Sequence, residues 1–207
     1  MTATLKKPPR PKVTQQRRAL TSEEPRPRKW TRCEYHELGE QGFFQDRRVQ
    51  LIEGSIIEMS PQKNAHAVSL LLTCDLMQVV FGSARTVRYQ LPLKLSDVSE
   101  PEPDVAIVTG KPRDWPDHPA TADLVIEISD STLKFDLTDK AKLYAQALLP
   151  EYWVVDLVNR RLIVHRQPKR PRSGAARYEE VTVYEADAVV KPFAKPRASV
   201  KVADLLP

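Results

Sequence analysis

Two short, almost continuously apolar runs constrain the fold of this chain more than any other feature. They read VAIV at residues 105–108 and LVIEI at residues 124–128. Strands that are apolar along their whole length are typical of the centre of a sheet that is covered on both faces. The sequence therefore predicts an α/β (α+β) fold in which helices flank a central mixed β-sheet.

Three helices are predicted around this sheet, the first from a capping-box pattern and the other two from apolar residues spaced three and four apart. They cover Trp30–Leu38, His66–Phe81 and Leu137–Leu148. Thr31 is the predicted N-cap of the first helix, with Glu34 as its capping-box partner. Asp136 is the predicted N-cap of the third helix.

The remaining apolar segments predict further strands. VQLIEGSIIEM, at residues 49–59, indicates a β-hairpin around a Glu-Gly turn. Other strands are expected at residues 85–94, in EYWVVDL, in a hairpin of RLIVHR with RYEEVTVY, and at residues 198–202. The predicted order is hairpin, helix, three strands, helix and more strands.

The positive charge of the chain lies in its first residues. Residues 1–29 contain nine Lys and Arg and two Glu, so the other residues carry a slight negative excess. Residues 1–28 are also rich in proline and poor in large apolar side chains, which predicts a disordered tail before a single domain over residues 29–207. A basic tail attracts phosphates without defining any chemistry.

Several function classes lack their sequence patterns. The two cysteines show no disulfide framework, the four histidines show no metal-ligand spacing, and no dinucleotide, P-loop or serine-hydrolase motif occurs. The best apolar stretch, AVSLLLTCDLMQVVFG, is short for a membrane span and contains Asp75. We therefore expect a soluble, cytoplasmic protein without a membrane partner.

Two carboxylates are the strongest candidates for chemistry. Asp104 begins one central strand and Glu127 lies near the end of the next. Neighbouring strands lie about 4.8 Å apart, so both groups can approach one point at the sheet edge. A hard divalent cation such as Mg²⁺ suits such a pair of carboxylates. A bound cation of this kind polarises a phosphoryl oxygen and lowers the pKa of a bound water, which is what phosphodiester hydrolysis requires. The alternative is a purely structural ion pair between Glu127 and Lys140, since an unpaired carboxylate in an apolar strand is costly.

The segments around these acids resemble a known family. Pro103-Asp104 followed by Glu127-Ile128-Ser129 resembles the PD-(D/E)xK nuclease core, an αβββαβ unit. More narrowly, LIEGSIIEMSP, PDVAIV and LVIEISDSTLKFDLTDKAKLYAQALLPEYWVVDL are similar to the Uma-two family of restriction endonucleases, over roughly residues 30–206. The resemblance implies an endonuclease that hydrolyses DNA, with RNA not excluded, using Mg²⁺ or Mn²⁺, and acting as a homodimer.

One departure from the general nuclease pattern concerns the lysine. The lysine that usually follows the Glu by two positions is Ser129 in this chain. In the resembling family the lysine has moved to the following helix, which corresponds to Lys140. We prefer Lys140 to Lys134, which we place in a loop, and to Lys142, which is turned about 200° around the helix. The resemblance thus implies a catalytic set of Asp104, Glu127 and Lys140, with the first two and the Ile128 carbonyl binding the metal.

Other positions are weaker candidates. Many family members carry Glu at the position of Gln50, and an amide offers a carbonyl to a metal-bound water but no charge. The auxiliary candidates are Gln50, His66, Ser129 and Tyr144, and the candidate phosphate contacts are Lys169, Arg170 and Arg172. Glu100 and Glu102 precede Asp104 in a proline-rich loop, where we expect exposed side chains and a nearly silent Glu100→Gln change.

Three hypotheses follow from the sequence. The first is a Mg²⁺-dependent endonuclease of restriction-endonuclease-like fold. The second is a catalytically inactive nucleic-acid-binding module of the same fold, and the third is a structural domain whose acidic pair only forms ion pairs. Metal-dependent cleavage distinguishes the first from the other two.

Overall fold

The computed structural model describes residues 26–207, so the predicted tail lies almost entirely outside the described residues. The helices are α1 (Arg32–Glu40), α2 (Asn64–Phe81), α3 (Leu133–Phe135) and α4 (Ala141–Gln146). The strands are β1 (Val49–Ile52), β2 (Ser55–Glu58), β3 (Thr86–Tyr89), β4 (Val105–Val108), β5 (Leu124–Ser129), β6 (Glu151–Asp156), β7 (Arg161–Lys169), β8 (Arg177–Glu185), β9 (Val189–Val190) and β10 (Val200–Lys201). The predicted order of elements is confirmed.

A six-stranded mixed sheet forms the centre of the molecule. Its order is β3-β4-β5-β6-β7-β8, in which β5 and β6 are parallel and the other neighbours are antiparallel. All residues of β4, β5 and β6 are buried. The prediction that the apolar runs lie in the middle of a covered sheet is therefore confirmed.

Helices cover the two faces of this sheet. Met77 and Phe81 of α2 belong to the core on one face, together with Trp153. Tyr144 of α4 belongs to the core on the other face, together with Tyr152. Because side chains alternate along a strand, β4 and β5 contribute to both cores. The predicted helix-sheet-helix arrangement results.

The N-terminal helix and hairpin follow their local sequence signals. Thr31 caps α1, and both hydrogen bonds of the capping box with Glu34 are present. The hairpin turn has φ 47° at Glu53 and φ 81° at Gly54, as a turn of matching twist requires. The hairpin lies outside the central sheet and is held by a 2.7 Å bond from the Glu100 N–H to the Leu51 carbonyl.

The third predicted helix begins earlier than expected, so its predicted N-cap is wrong. Helical structure starts at Leu133, passes through a π-helical turn at Asp136–Lys140 and continues into α4. We call this segment, residues 133–146, the site helix. Asp136 is buried inside it and accepts a 2.6 Å bond from the Thr132 hydroxyl. The cap pattern failed because the helix already starts at Leu133 and the Asp136 carboxylate contacts Thr132 and Lys140, four residues before and after it.

The predicted exposure of Glu100 is also wrong. Its side chain is almost fully buried, pairs with Arg32 and lies 2.9 Å from His36 Nε2. Both partners belong to α1, which the sequence places far from residue 100. Glu102, by contrast, remains partly exposed beside Arg48.

Helix α2 begins at Asn64, two residues before the predicted start. By length and composition alone, residues Asn64–Ala84 are sufficient to cross a membrane, with a mean hydropathy of 1.6. A core helix of a soluble protein passes the same test. In the structure, the inward face of α2 packs on the sheet, whereas Leu71 and Val79 are exposed.

Candidate active site

The strand register brings the two predicted carboxylates together. β4 and β5 run antiparallel, with Val105 opposite Ile126. Continuing this register by one residue sets Asp104 opposite Glu127, and residues opposite each other point to the same face. The beginning of β4 and the end of β5 thus form one acidic corner.

Asp104 is fixed by two donors on one oxygen. Its Oδ2 accepts the Ile128 N–H at 2.8 Å and lies 3.2 Å from His66 Nε2. Burial opposes its charge, but His66, Lys140 and the Ile128 N–H outweigh burial and lower the pKa of Asp104. Burial also opposes charge on His66, yet Asp104 raises the pKa of the imidazole. Within residues 26–207, Asp104 Oδ1 has no hydrogen-bond partner, so it is open to a ligand.

Glu127 is held by a hydroxyl and an ammonium. Tyr144 donates its hydroxyl to Oε1 at 2.6 Å, and Lys140 Nζ lies 2.8 Å from Oε2. Burial raises the pKa of Glu127 to about 7, with repulsion from Asp104 and Asp136 added to it and attraction by Lys140 opposing it. The carboxyl therefore titrates near neutral pH.

Lys140 belongs to the site helix, and its ammonium lies beside Glu127 of the preceding strand. This is the position that the resemblance implied. Lys140 is buried, and its Nζ also lies 3.6 Å from Asp136 Oδ1. Burial lowers its pKa, but Glu127, Asp136 and Asp104 outweigh burial and raise the pKa of Lys140 to about 12. Lys140 is therefore a cation and a donor at neutral pH.

The two competing lysines lie elsewhere. Lys142 pairs with Glu53 at 2.9 Å on the hairpin turn. Lys134 is exposed and belongs to the first turn of the site helix rather than to a loop, which corrects that expectation. A π-helical turn, Asp136–Lys140, lies between these two lysines, and such turns are frequently found at functional sites.

These groups line one pocket. Its wall includes Gln50, His66, Asp104, Glu127, Asp136 and Lys140, and its rim includes Arg48, Glu58, Lys63 and Asp130. Gln50 is buried, and its Oε1 accepts the Glu102 N–H at 3.2 Å. The structure thus brings together the predicted catalytic set and two auxiliary candidates, Gln50 and His66.

The other two auxiliary candidates are Tyr144 and Ser129. Tyr144 contacts Glu127 through its hydroxyl. Ser129 is buried, its hydroxyl has no partner among the described residues, and it does not line the pocket. Ser129 therefore has no contact that ties it to the site.

The candidate phosphate contacts lie at the other end of the sheet. β5 and β6 end beside the pocket, and β7 runs antiparallel to β6. The loop after β7, which carries Arg170 and Arg172, is consequently remote from Glu127. Lys169 pairs with Glu179 at 2.5 Å.

The basic and acidic groups of the rim were not predicted from the sequence. Lys63 Nζ lies 3.0 Å from Asp130 Oδ2, which joins the start of α2 to the end of β5. Arg48 pairs with Glu102 at 3.3 Å. The only sequence signal for Asp130 is its position directly after the strand that bears Glu127.

The donor set fits a hard divalent cation. The pocket is lined by five carboxylates and only three Lys or Arg side chains, so it favours a cation. Within residues 26–207 there is no group of three His, Cys, Asp or Glu side chains placed to enclose a metal. Mg²⁺ is commonly held by one or two carboxylates, and water fills its other coordination positions. Asp104 and Glu127 can supply these carboxylates.

Fold and site together define a restriction-endonuclease-like protein. The chain belongs to the Uma2 family, described as "Putative restriction endonuclease", whose model matches residues 33–196. The fold is similar to that of a solved protein from Anabaena variabilis ATCC 29413, described as a putative nuclease belonging to DUF820. That likeness has a TM-score of 0.64 at 20% identity and covers 84% of this chain and 96% of the other. None of the curated proteins matches the chain.

Proposed function

We propose that this chain is a divalent-metal-dependent endonuclease that hydrolyses DNA phosphodiester bonds. The observation that carries the proposal is that Asp104 and Glu127 lie opposite each other in one pocket, with Lys140 Nζ 2.8 Å from Glu127 Oε2. Membership in a family of restriction endonucleases supports a nucleic-acid substrate. The proposed cofactor is Mg²⁺, with Mn²⁺ as a substitute, and the proposed setting is the cytoplasm.

The metal would be held by the two carboxylates. Asp104 and Glu127 line the same pocket, and the Ile128 carbonyl is the third proposed ligand. A divalent cation there supplies Lewis-acid chemistry, polarising a phosphoryl oxygen and making water a better nucleophile at neutral pH. His66 and the Ile128 N–H keep Asp104 in place, and Tyr144 does the same for Glu127.

Lys140 acts as a donor in this proposal. Its raised pKa of about 12 keeps the proton on Nζ, so Lys140 does not serve as the base. The ammonium orients the attacking water and offsets the negative charge that develops on the phosphate. Donors aimed at developing charge in a dry site typically accelerate a reaction by about 10²- to 10³-fold each.

Plasmid cleavage tests the proposal. We expect Mg²⁺- or Mn²⁺-dependent nicking by the wild-type protein and a loss of about 100-fold or more in Glu127→Ala and Lys140→Ala. Lys142→Ala is the matched control, since Lys142 lies two residues on and pairs outside the pocket. Circular dichroism establishes that each variant is folded.

Two outcomes would contradict the proposal. Equal cleavage by wild type and Lys140→Ala would remove Lys140 from the chemistry. Binding of DNA without any metal-dependent turnover would instead favour the alternative, a catalytically inactive nucleic-acid-binding module. Whether the protein acts as a homodimer is a separate proposal, checked by sedimentation of the full chain.

A further inference from the structure

The β1 strand contributes a buried amide to the pocket that the proposed chemistry leaves unused. Gln50 is 3% exposed and lines the same pocket as Asp104 and Glu127. A polar side chain that is buried to this extent normally has all of its hydrogen-bonding groups paired. The partners of this amide therefore indicate what the pocket receives.

The backbone fixes the orientation of the Gln50 amide. Its Oε1 accepts the Glu102 N–H at 3.2 Å. The reversed orientation would set the amide NH₂ against that N–H, so two donors would face each other. Oε1 is thus occupied by the backbone, and Nε2 is directed away from Glu102.

The Nε2 donors lack a partner in the folded chain. Across residues 26–207, Gln50 Nε2 makes no hydrogen bond, and the side chain is bonded only through Oε1. Asp104 Oδ2 and both Glu127 oxygens have other donors, and the open oxygen, Asp104 Oδ1, forms no bond to the amide. The pocket therefore contains an NH₂ donor that has no protein partner among these residues and that is itself accessible from the pocket.

The ligand that fits this donor is an anion with acceptor oxygens. A cation does not bind to an NH₂ group, whereas the non-bridging oxygens of a phosphodiester only accept hydrogen bonds. Arg48 and Lys63 line the same pocket and remain 45% and 70% exposed in their side chains. Arg48 pairs with Glu102 and Lys63 with Asp130, but their exposed N–H groups can also donate to a phosphate, while the amide supplies a donor inside.

We infer that Gln50 donates to a non-bridging phosphate oxygen of the nucleic acid, with Arg48 and Lys63 flanking that phosphate. The inference rests on the proposed function, because it names the residues that bind the substrate's backbone at that site. It assigns Gln50 to the substrate rather than to the metal. The bond from Glu102 makes Gln50 a rigid donor, since the amide cannot rotate without losing it.

Fluorescence anisotropy with a labelled DNA duplex tests the inference on the full-length protein. The measurement is made in EDTA at about 0.2 M salt, where non-specific attraction to basic segments is weak. Gln50→Glu keeps an oxygen for the Glu102 N–H but replaces the donor with a carboxylate. Gln50→Leu removes both groups.

We expect the Kd for DNA to rise about tenfold or more in Gln50→Glu and by a smaller factor in Gln50→Leu. Gln167→Glu is the control for added charge, since Gln167 lies on β7 toward the far end of the sheet and pairs with Glu180. We expect less than a twofold change there. Mn²⁺ affinity, measured by calorimetry, should be the same in wild type and Gln50→Leu.

Two results would overturn the inference. Wild-type DNA affinity in Gln50→Glu would mean that the residue serves only the bond to Glu102. Weaker Mn²⁺ binding in Gln50→Leu would make Gln50 a metal ligand. If the wild-type protein cleaves no DNA but the Gln50 variants still lose binding as expected, the proposed function fails while the phosphate contact stands.

Discussion

Glu127 has the strongest conflict between burial and charge among the residues of the site. It is 2% exposed, and its carboxyl faces Asp104 and Asp136 as well as Lys140. One ammonium does not balance three carboxylates in a buried place, so burial raises the pKa of Glu127 to about 7. A bound divalent cation would relieve this conflict.

The raised pKa predicts how stability depends on pH. In the unfolded chain the carboxyl titrates near 4.5, whereas in the folded protein it titrates near 7. Between these values the folded state binds more protons, so this contribution to the free energy of unfolding is complete below about 4.5 and is lost as pH rises through 7. Thermal unfolding without metal should show this loss in the wild type and not in Glu127→Gln. Parallel pH profiles of the two proteins would contradict this prediction.

The burial of the Glu100 side chain could not be predicted from the residues next to it in the sequence. Its proline-rich surroundings predict exposure, but Arg32 and His36 from α1 enclose it. The pairing depends on residues 68 and 64 positions away, so no local pattern reports it.

Removing the charge of the Glu100 carboxylate should therefore destabilise the folded protein. We expect Glu100→Gln to lower the free energy of unfolding by about 3 kcal/mol, because it leaves the Arg32 guanidinium without its buried partner. Glu102→Gln is the control, since Glu102 is more exposed, and we expect less than about 1 kcal/mol. Urea unfolding measures both. An unchanged free energy of unfolding in Glu100→Gln would contradict this prediction and would favour the exposed side chain that the sequence predicted.

At the scale of elements, local signals determined most of what was predictable. The α1 capping box, the Glu-Gly hairpin and the buried β4 and β5 runs each follow from a short pattern, and the structure has all of them. The start of the site helix was predicted wrongly because the Asp136 carboxylate does not cap the helix. It lies beside Lys140 Nζ instead. The strand predicted at residues 85–94 ends at Tyr89, before Gln90 with φ 51°.

The hairpin turn gives a test at this scale. Gly54 has φ +81°, and a Cβ there would lie 2.6 Å from the Lys29 Cβ. Gly174 has φ +96°, and a Cβ there would meet nothing within 4 Å. We expect Gly174→Ala to cost about 1 kcal/mol from backbone strain alone and Gly54→Ala clearly more, as measured by urea unfolding. Equal costs would mean that the hairpin is not packed against Lys29 in solution.

At the scale of the whole molecule, topology assembles the site. Asp104, Glu127 and Lys140 come from three separate elements, and the antiparallel register of β4 and β5 brings the first two to one edge. The sequence predicted this edge because Asp104 precedes one apolar run and Glu127 lies within the next, and the resemblance implied Lys140. Neither the sequence pattern nor the resemblance predicted the charged groups of the rim or the orientation of the Gln50 amide. Both depend on how the hairpin packs against residues 100–104.

The same topology separates the site from the basic loop after β7. Arg170 and Arg172 follow a strand that runs away from the end of β5. Their positive charge therefore does not add to the donors that surround the pocket. A long duplex could meet both regions only by extending across the sheet.

The central claim is that Asp104 and Glu127 hold a divalent cation beside Lys140. The most direct measurement is the anomalous difference density of crystals soaked in Mn²⁺. We predict a peak between the two carboxylates, with Lys140 Nζ within about 4 Å of an oxygen bound to it. A peak bound elsewhere, or no peak at a Mn²⁺ concentration that supports DNA cleavage, would contradict the claim.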